Sequence, residues 1–163
     1  MKLTTLSVLL SCLALTLSAQ AEATIKLTGV HNCCGKCEKG IQAAVAKVEG
    51  ATVVAEKENV TITAKDEATA KKAEASLIAG GYAGKESKVP AVTDAKVKSA
   101  TVTGVHLCCG KCVTAVEKAV KSVPGATSHT ATKGAETFKV EGDFSTAALS
   151  AALQKNGLSG GIN

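Results

Sequence analysis

Two short turns hold nearly every residue of the sequence that could bind a soft metal ion or carry thiol chemistry. The stretch GVHNCCGKC at residues 29–37 recurs as GVHLCCGKC at residues 104–112. Each turn has three cysteines behind one histidine, and only Cys12 and His129 lie outside the turns. Thiolates and imidazoles suit Cu(I), Zn(II) and heavier ions such as Hg(II), whereas Ca²⁺ and Mg²⁺ need oxygen ligands. The turns are therefore candidate sites for soft metal ions.

The candidate ligands are the same in both turns. Cys34 and Cys37 are separated by two residues at the predicted start of a helix, a spacing that lets two thiolates meet at one ion. The helix N-terminus and Lys36 both favour the thiolate form. A third cysteine and the histidine can extend each ligand set. The predicted metal ligands are Cys34, Cys37, Cys109, Cys112, Cys33, Cys108, His31 and His106.

Other interpretations of these residues stay open. A disulfide between Cys34 and Cys37 in an oxidising compartment would leave Cys33 unpaired, and a bond between adjacent cysteines would be strained. Oxidised Cys33 and Cys108 could also pair with each other, or both could be small buried apolar residues. The two histidines of the turns could be solvated or could bond to the backbone. Three convergent sulfurs nevertheless favour a metal over a disulfide.

The elements that must position the turns are also duplicated. At a constant offset of 75, residues 28–37 match residues 103–112 at nine of ten positions. Each copy predicts a strand before the turn (Thr24 to Val30, Ala100 to Val105) and a helix after it. Apolar residues at helical spacing predict the buried faces of these helices, as Ile41, Ala44, Val45 and Val48 and as Val116, Ala119, Val120 and Val123.

Alternating segments predict a β-hairpin after each helix. The strands are Ala51 to Glu56 with Asn59 to Ala64, and Ala126 to Ala131 with Glu136 to Glu141. A second helix follows in each copy, capped by Asp66 in the first copy. Its predicted inward residues are Ala70, Ala73, Leu77 and Ile78, or Leu149, Ala152 and Leu153; a last short strand begins near Tyr82 or Leu158.

This order predicts an α+β protein of two tandem ferredoxin-like βαββαβ sandwiches. The predicted boundaries are a signal peptide at 1–21, a first domain at 22–88, a linker at 89–98 and a second domain at 99–163. The linker contains Pro90 and lacks periodicity, so the domains are expected to be tethered but free to face each other.

The N-terminus predicts export. Lys2 precedes the apolar run from Leu6 to Leu17, and Ala19-Gln20-Ala21 fits a signal-peptidase site. Lipidation at Cys12 is an alternative, although the apolar run continues past it. After cleavage no run approaches the ~20 apolar residues of a membrane-spanning helix. The expected location is periplasmic or secreted.

The composition argues against nucleic-acid binding. The 19 basic residues are all lysine. Cleavage of the signal peptide would remove Lys2, which leaves 18 lysines, 14 acidic residues and a net charge of +4. The only aromatic residues are Tyr82, Phe138 and Phe144. Neither arginine forks nor stacking platforms are therefore available to read bases.

The strand, cysteine turn and helix resemble the heavy-metal-associated domain of soft-metal chaperones, metal-pumping ATPases and periplasmic mercury-binding proteins. The resemblance places the metal-binding pair of each copy on Cys34 and Cys37 and on Cys109 and Cys112. It implies Cu(I) held between thiolates and handed to a metal-transporting partner by ligand exchange. It also places Tyr82, in the stretch Ala79 to Tyr82, near the metal. The family's methionine is replaced by Asn32 and Leu107, and its glycine by His31 and His106.

The sequence thus predicts a protein that binds soft metal ions, one in each domain, without catalytic turnover. An alternative is a thiol-disulfide oxidoreductase that uses the CGKC pairs. Against it, the only prolines are Pro90 and Pro124, so no proline is expected opposite the thiols as in a thioredoxin fold. A third interpretation, an interaction module that has lost metal binding, fits poorly with complete cysteine sets in both copies.

Overall fold

The structure is a computed structural model that describes residues 21–163. The predicted signal peptide, with Cys12, lies outside the described residues except for Ala21. Among the described residues the fold is α+β, as predicted, with four helices and two antiparallel sheets. The elements are β1 (Ala23–Leu27), α1 (Gly35–Val45), β2 (Ala51–Glu56), β3 (Asn59–Ala64), α2 (Glu67–Ala79), β4 (Lys96–Thr103), α3 (Gly110–Lys121), β5 (Ala126–His129), β6 (Thr137–Ser145), α4 (Thr146–Lys155) and β7 (Gly161–Ile162).

The first sheet has three strands in the order β1-β3-β2. The hairpin of β2 and β3 has the predicted bounds, and Lys57 in its two-residue turn takes a positive φ of 54°. Strand β1 ends at Leu27 rather than at the predicted Val30. Gly29 has a φ of 69°, a left-handed conformation that cannot continue a strand. The chain therefore leaves the sheet just before the first cysteine turn.

The second sheet has four strands in the order β5-β6-β4-β7. This strand order, together with the sequence of strands and helices from β4 to β7, is compatible with a ferredoxin-like fold. Strand β4 runs from Lys96 to Thr103 and so begins earlier than predicted, where Lys96 pairs with Ser145 of β6. It also ends earlier than predicted, because Gly104 has a φ of 75°. Strand β6 continues to Ser145 rather than ending at the predicted Glu141. The pairing of β5 with β6 is irregular next to Gly142, but β6 is not interrupted there.

The helices bury the predicted apolar faces against the sheets. In α1, Ile41, Ala44 and Val45 are buried, while Val48 lies beyond the helix end and is half-buried. Helix α2 begins as predicted, where the Asp66 carboxylate accepts a hydrogen bond from the Thr69 N–H at 2.6 Å. The buried faces of α3 and α4 contain Ala115, Val116, Ala119, Val120, Leu149, Ala152 and Leu153.

Two cysteines belong to this core. Cys37 and Cys112 are both 0% exposed and lie one turn before Ile41 and Val116 on the buried faces of α1 and α3. Each of these cysteines lies four residues before an apolar core position, so the sequence pattern already indicates that it shares the buried face of its helix. The fold therefore fixes both how these two sulfurs pack and which groups surround them.

The two halves of the chain, residues 21–88 and 96–163, are in contact. Tyr82 and Leu158, each predicted to begin a last strand of its own half, pair with each other in an antiparallel bridge. The Ala83 N–H donates to the Gly157 carbonyl at 3.2 Å, and the Ser159 N–H donates to the Gly81 carbonyl at 3.1 Å. Reciprocal bonds of this kind relate the halves by an approximate two-fold axis.

The first sheet has no fourth strand within residues 21–163. The chain after Tyr82 instead runs beside the end of β1, where the Lys85 N–H donates to the Thr28 carbonyl at 2.9 Å. Residues 88–95 form neither helix nor strand and lead into β4.

No helix within residues 21–163 combines the length and the apolar character that crossing a bilayer requires.

Candidate metal centre

The cysteine turns of the two halves meet at the contact between them. Cys34 and Cys109 are the N-cap residues of α1 and α3, with extended backbone at φ −165° and −153°. Each turn therefore points its first two cysteines out of the helix start, while the third lies in the first helical turn. The His31 N–H donates to the Gly157 carbonyl at 3.0 Å, which holds the first turn against the second half.

All six cysteines of the turns are free thiols, and their sulfurs form one group. Three contacts cross between the halves: Cys33–Cys109 at 3.5 Å, Cys37–Cys108 at 3.6 Å and Cys34–Cys108 at 3.8 Å. Four lie within a turn: Cys33–Cys37 at 3.6 Å, Cys34–Cys37 at 3.8 Å, Cys108–Cys112 at 3.7 Å and Cys109–Cys112 at 3.7 Å. We call these six sulfurs the six-sulfur cluster.

The spacing of the sulfurs suits metal coordination by three or four ligands. With metal–sulfur bonds of about 2.3 Å, two sulfurs lie about 3.8 Å apart around a tetrahedral ion and about 4.6 Å apart across a linear one. The observed contacts of 3.5 to 3.8 Å match the tetrahedral value. The spacing is therefore closer to that of a four-coordinate ion than to that of a linear one.

Both predicted histidines lie beside the six-sulfur cluster. A ring nitrogen of His31 lies within 4.8 Å of the sulfurs of Cys33 and Cys112, and one of His106 lies within 4.8 Å of the sulfurs of Cys37 and Cys108. The Nε2 atoms of both rings are buried without a hydrogen-bond partner in the described part of the chain. A buried, unpaired ring nitrogen is unfavourable unless something binds it. Burial also lowers the pKa of both histidines, so their lone pairs are available to a metal.

The surroundings of the cysteines shift their pKa values in opposite directions. The backbone N–H groups of Cys37 and Lys36 at the start of α1 lower the pKa of Cys34 to about 6. The N–H of Cys112 likewise lowers the pKa of Cys109. Burial raises the pKa of Cys33 and of Cys108, and contacts with neighbouring thiols raise both further. Complete ionisation of the cluster therefore needs a compensating positive charge, which a bound metal ion would supply.

Alkylation should distinguish these groups. In the reduced, metal-free protein we expect Cys34 to react with iodoacetamide before Cys33 or Cys108, with a rate that rises through a pH of about 6. Because the folded pKa lies below the ordinary thiol value, this group stabilises the fold above that value, and its contribution is lost as the pH falls through 6. Quenched labelling with tandem mass spectrometry would measure the order. Equal rates at the three thiols at pH 7 would contradict it.

Tyr82, which the resemblance implies lies near the metal, packs against the other half of the chain. Its ring centroid is 4.8 Å from that of His106. Its hydroxyl is buried and has no hydrogen-bond partner among the described residues, and burial raises its pKa. A side chain at Gly40 would collide with this hydroxyl. Gly40 is thus a supporting residue that sequence reasoning missed, since no local pattern marks it.

Replacing Tyr82 with phenylalanine should stabilise the metal-free protein. The change removes an unpaired buried hydroxyl and keeps the ring, so we expect a gain of about 1 kcal/mol in the free energy of unfolding. Urea denaturation under reducing conditions, followed by far-UV circular dichroism, would measure it. A loss of stability would instead show that the hydroxyl is hydrogen-bonded in solution.

Lysines surround the openings to the cluster. One opening is lined by Cys34, Cys108 and Cys109 together with Lys36, Lys39 and Lys133. The other includes His31 and Cys33, and its charged lining is Glu58, Lys85, Lys111, Lys118 and Lys155. This excess of positive charge would offset the negative charge of thiolates in the cluster.

The structure brings together all eight predicted ligands, from both halves, at one place. Comparisons with known proteins add little to this geometry. No protein-family model and no curated protein sequence matches the chain. The solution structure of the N-terminal soluble domains of Bacillus subtilis CopA is similar over 88% of this chain and 95% of that chain, at 16% identity and a TM-score of 0.34. Similarity at that level decides neither fold nor function, which rest on the residues themselves.

Proposed function

We propose that this chain is an exported protein that binds soft metal ions at the contact between its two halves and transfers, buffers or sequesters them without turnover. The observation that carries the proposal is the convergence of six free sulfurs and two buried, unpaired imidazole nitrogens. Such a donor set is typical of thiophilic ions and unsuited to Ca²⁺ or Mg²⁺. Cu(I) is the first candidate, followed by Zn(II) and Hg(II).

The proposal includes the organisation expected from the sequence. The chain comprises two tandem ferredoxin-like domains of the heavy-metal-associated type, at 22–88 and 99–163, joined by 89–98. The segment 1–21 directs export to a periplasmic or extracellular compartment. The structure contributes the antiparallel sheets and the docking of the halves.

Transfer would proceed by ligand exchange at the partly exposed sulfurs. Cys34 and Cys109 lie at an opening of the cluster and have lowered pKa values, so a donor or acceptor thiol of a metal-transporting partner can replace them without unfolding a helix. Cys37 and Cys112 are buried and would keep hold of the ion during exchange. An incoming thiolate bonds to the metal as one protein thiolate leaves, so no electron is transferred.

A second candidate is thiol-disulfide exchange. The pKa of Cys34 near 6 and its 3.8 Å separation from Cys37 favour attack on a disulfide by this pair. The second CGKC pair, Cys109 and Cys112, could do the same, but Cys33, Cys108 and the two histidines have no role in that chemistry. Metal binding accounts for all eight residues and is therefore preferred.

An anaerobic titration would test the proposal. The reduced chain 22–163 would be titrated with Cu(I) against a chromophoric chelator, and its thiols then challenged with an alkylating reagent. We expect tight uptake of about two ions and protection of all six cysteines. If Cu(I) is not retained, Zn(II) and Hg(II) follow in the same format. Failure with all three ions would overturn metal binding and leave the disulfide candidate.

A further inference from the structure

The eight donors of the cluster divide into two equivalent sets. The first set is His31, Cys33, Cys109 and Cys112, and the second is His106, Cys108, Cys34 and Cys37. The offset of 75 converts one set into the other, so the approximate two-fold axis relates them. Each set joins the Cys-x-x-Cys pair of one half to the His-x-Cys segment of the other half. We call them the exchanged sets.

We propose that the protein binds two ions, each held by one exchanged set, so that every ion takes ligands from both halves of the chain. This inference rests on the proposed function and deepens it. The sequence-based expectation was one ion in each domain, whereas here each of the two ions is shared between the halves. The shared chemistry is a four-coordinate d¹⁰ ion bound by three thiolates and one imidazole, a donor set that suits Zn(II)-type ions and Cu(I) alike.

The distances within the exchanged sets are compatible with the assignment. Same-turn contacts are equally short, at 3.6 Å for Cys33–Cys37 and 3.7 Å for Cys108–Cys112, so the histidines carry the choice between the two arrangements. In the second set, Cys34–Cys37 and Cys34–Cys108 are both 3.8 Å and Cys37–Cys108 is 3.6 Å. In the first set, Cys33–Cys109 is 3.5 Å and Cys109–Cys112 is 3.7 Å. These values are close to the spacing of about 3.8 Å that tetrahedral thiolate coordination requires.

The histidines supply the independent evidence. The His31 ring groups with Cys33 of its own turn and with Cys112 of the other half, and the His106 ring groups with Cys108 and with Cys37 of the other half. Each imidazole therefore lies beside the buried cysteine of the opposite Cys-x-x-Cys pair, Cys112 for His31 and Cys37 for His106. Its Nε2 atom is buried and has no hydrogen-bond partner in residues 21–163, so the imidazole has a donor free for a fourth ligand position.

The assignment gives the third cysteine of each turn a purpose. Within one turn, Cys34 and Cys37 suffice for a two-coordinate ion, and Cys33 is surplus. In an exchanged set, Cys33 is the sulfur that reaches across to Cys109. Metal binding would thus crosslink the halves twice, through two ions that need both halves to be docked.

Two matched triple variants test the assignment. The exchanged-set variant is Cys33→Ser, Cys109→Ser, Cys112→Ser, and the same-turn variant is Cys33→Ser, Cys34→Ser, Cys37→Ser. Each removes three sulfurs, one of them a buried core cysteine. The exchanged-set variant keeps the complete second set, whereas the same-turn variant damages both sets.

We expect the exchanged-set variant to retain one tightly bound Cd(II) or Cu(I) ion. The same-turn variant should bind its best ion more weakly by at least about 100-fold, since loss of a direct ligand exceeds the 10–100-fold cost of losing an outer-shell partner. The reverse ranking would assign the ligands to separate turns, and equal loss of binding in both variants would indicate one indivisible cluster. Either result would overturn the inference.

Wild-type protein provides a measurement that no folding defect can obscure. Loaded with ¹¹³Cd(II), the full mature chain should show two cadmium resonances. One should couple to the β-protons of Cys33, Cys109 and Cys112, and the other to those of Cys108, Cys34 and Cys37. Resonances coupled to cysteines of one half only, or a number other than two, would overturn the inference while leaving soft-metal binding intact. Failure of the wild type to bind any thiophilic ion would overturn the proposed function itself.

Discussion

Substituting Gly157 with alanine is expected to disrupt the contact between the two halves and to weaken metal binding. Gly157 has a φ of 77°, and a Cβ atom there would meet the backbone of Gly29, Val30 and His31. These neighbours are main-chain atoms of the first cysteine turn, so no side chain can rotate away. The reciprocal bonds between the halves cannot form without moving that turn.

Gly134 offers a matched control for this change. It has a φ of 82°, but nothing lies within 4 Å of the position a Cβ would take. Gly134→Ala should therefore cost only the left-handed conformation of an alanine, about 1–2 kcal/mol. Gly157→Ala should exceed this loss by at least about 2 kcal/mol, as expected for forced overpacking. Equal losses in urea denaturation would show that the halves do not dock in solution.

The metal affinities of these two variants should also differ. Three of the seven sulfur contacts cross between the halves, and both histidines lie beside sulfurs of the opposite half. Displacing the first turn would break these arrangements without removing any ligand. Competition with a chromophoric chelator should show weakened uptake in Gly157→Ala and nearly unchanged uptake in Gly134→Ala.

Local patterns in the sequence predict the elements of each half well. The 3.6-residue spacing gives the buried faces of α1 and α3, and alternation gives the hairpin of β2 and β3 with its observed bounds. The Asp66 cap is also correct. These features depend on side chains close in sequence, whose preferences are expressed within a single element.

The predicted strand ends were wrong where a glycine took a positive φ. Gly29 and Gly104 end β1 and β4 earlier than the apolar pattern suggests, and Gly142 allows β6 to continue. A glycine is compatible with either outcome, because it adopts both left-handed and extended conformations without strain. The sequence therefore marks a change at these positions without stating whether the strand stops.

The contact between the halves could not be predicted from the sequence. It depends on Tyr82 pairing with Leu158, residues 76 apart, and on backbone atoms that carry no sequence signal. Both residues were expected to begin strands within their own halves. The eight candidate ligands were all identified from residue type and spacing, but their division across the halves requires the docked geometry.

Loading with metal should stabilise both halves together. If each ion is shared, unfolding either half releases both ions, so the binding free energy is linked to a single transition. At a free-ion concentration of 1,000 times Kd, one site alone would add about 4 kcal/mol to the free energy of unfolding. Self-contained sites would instead let each half respond to its own ion.

The protein contains its own local probe for this measurement. Tyr82 is the only tyrosine, and the chain has no tryptophan, so intrinsic fluorescence reports on the contact between the halves while far-UV circular dichroism reports on both. In urea, with thiols kept reduced, we expect both signals to shift together to higher denaturant on addition of Cd(II), and neither to shift with Mg²⁺, which needs oxygen ligands. A transition in which fluorescence and dichroism separate after Cd(II) is added would contradict shared binding, because it would mean that one half can unfold while the other keeps its ion.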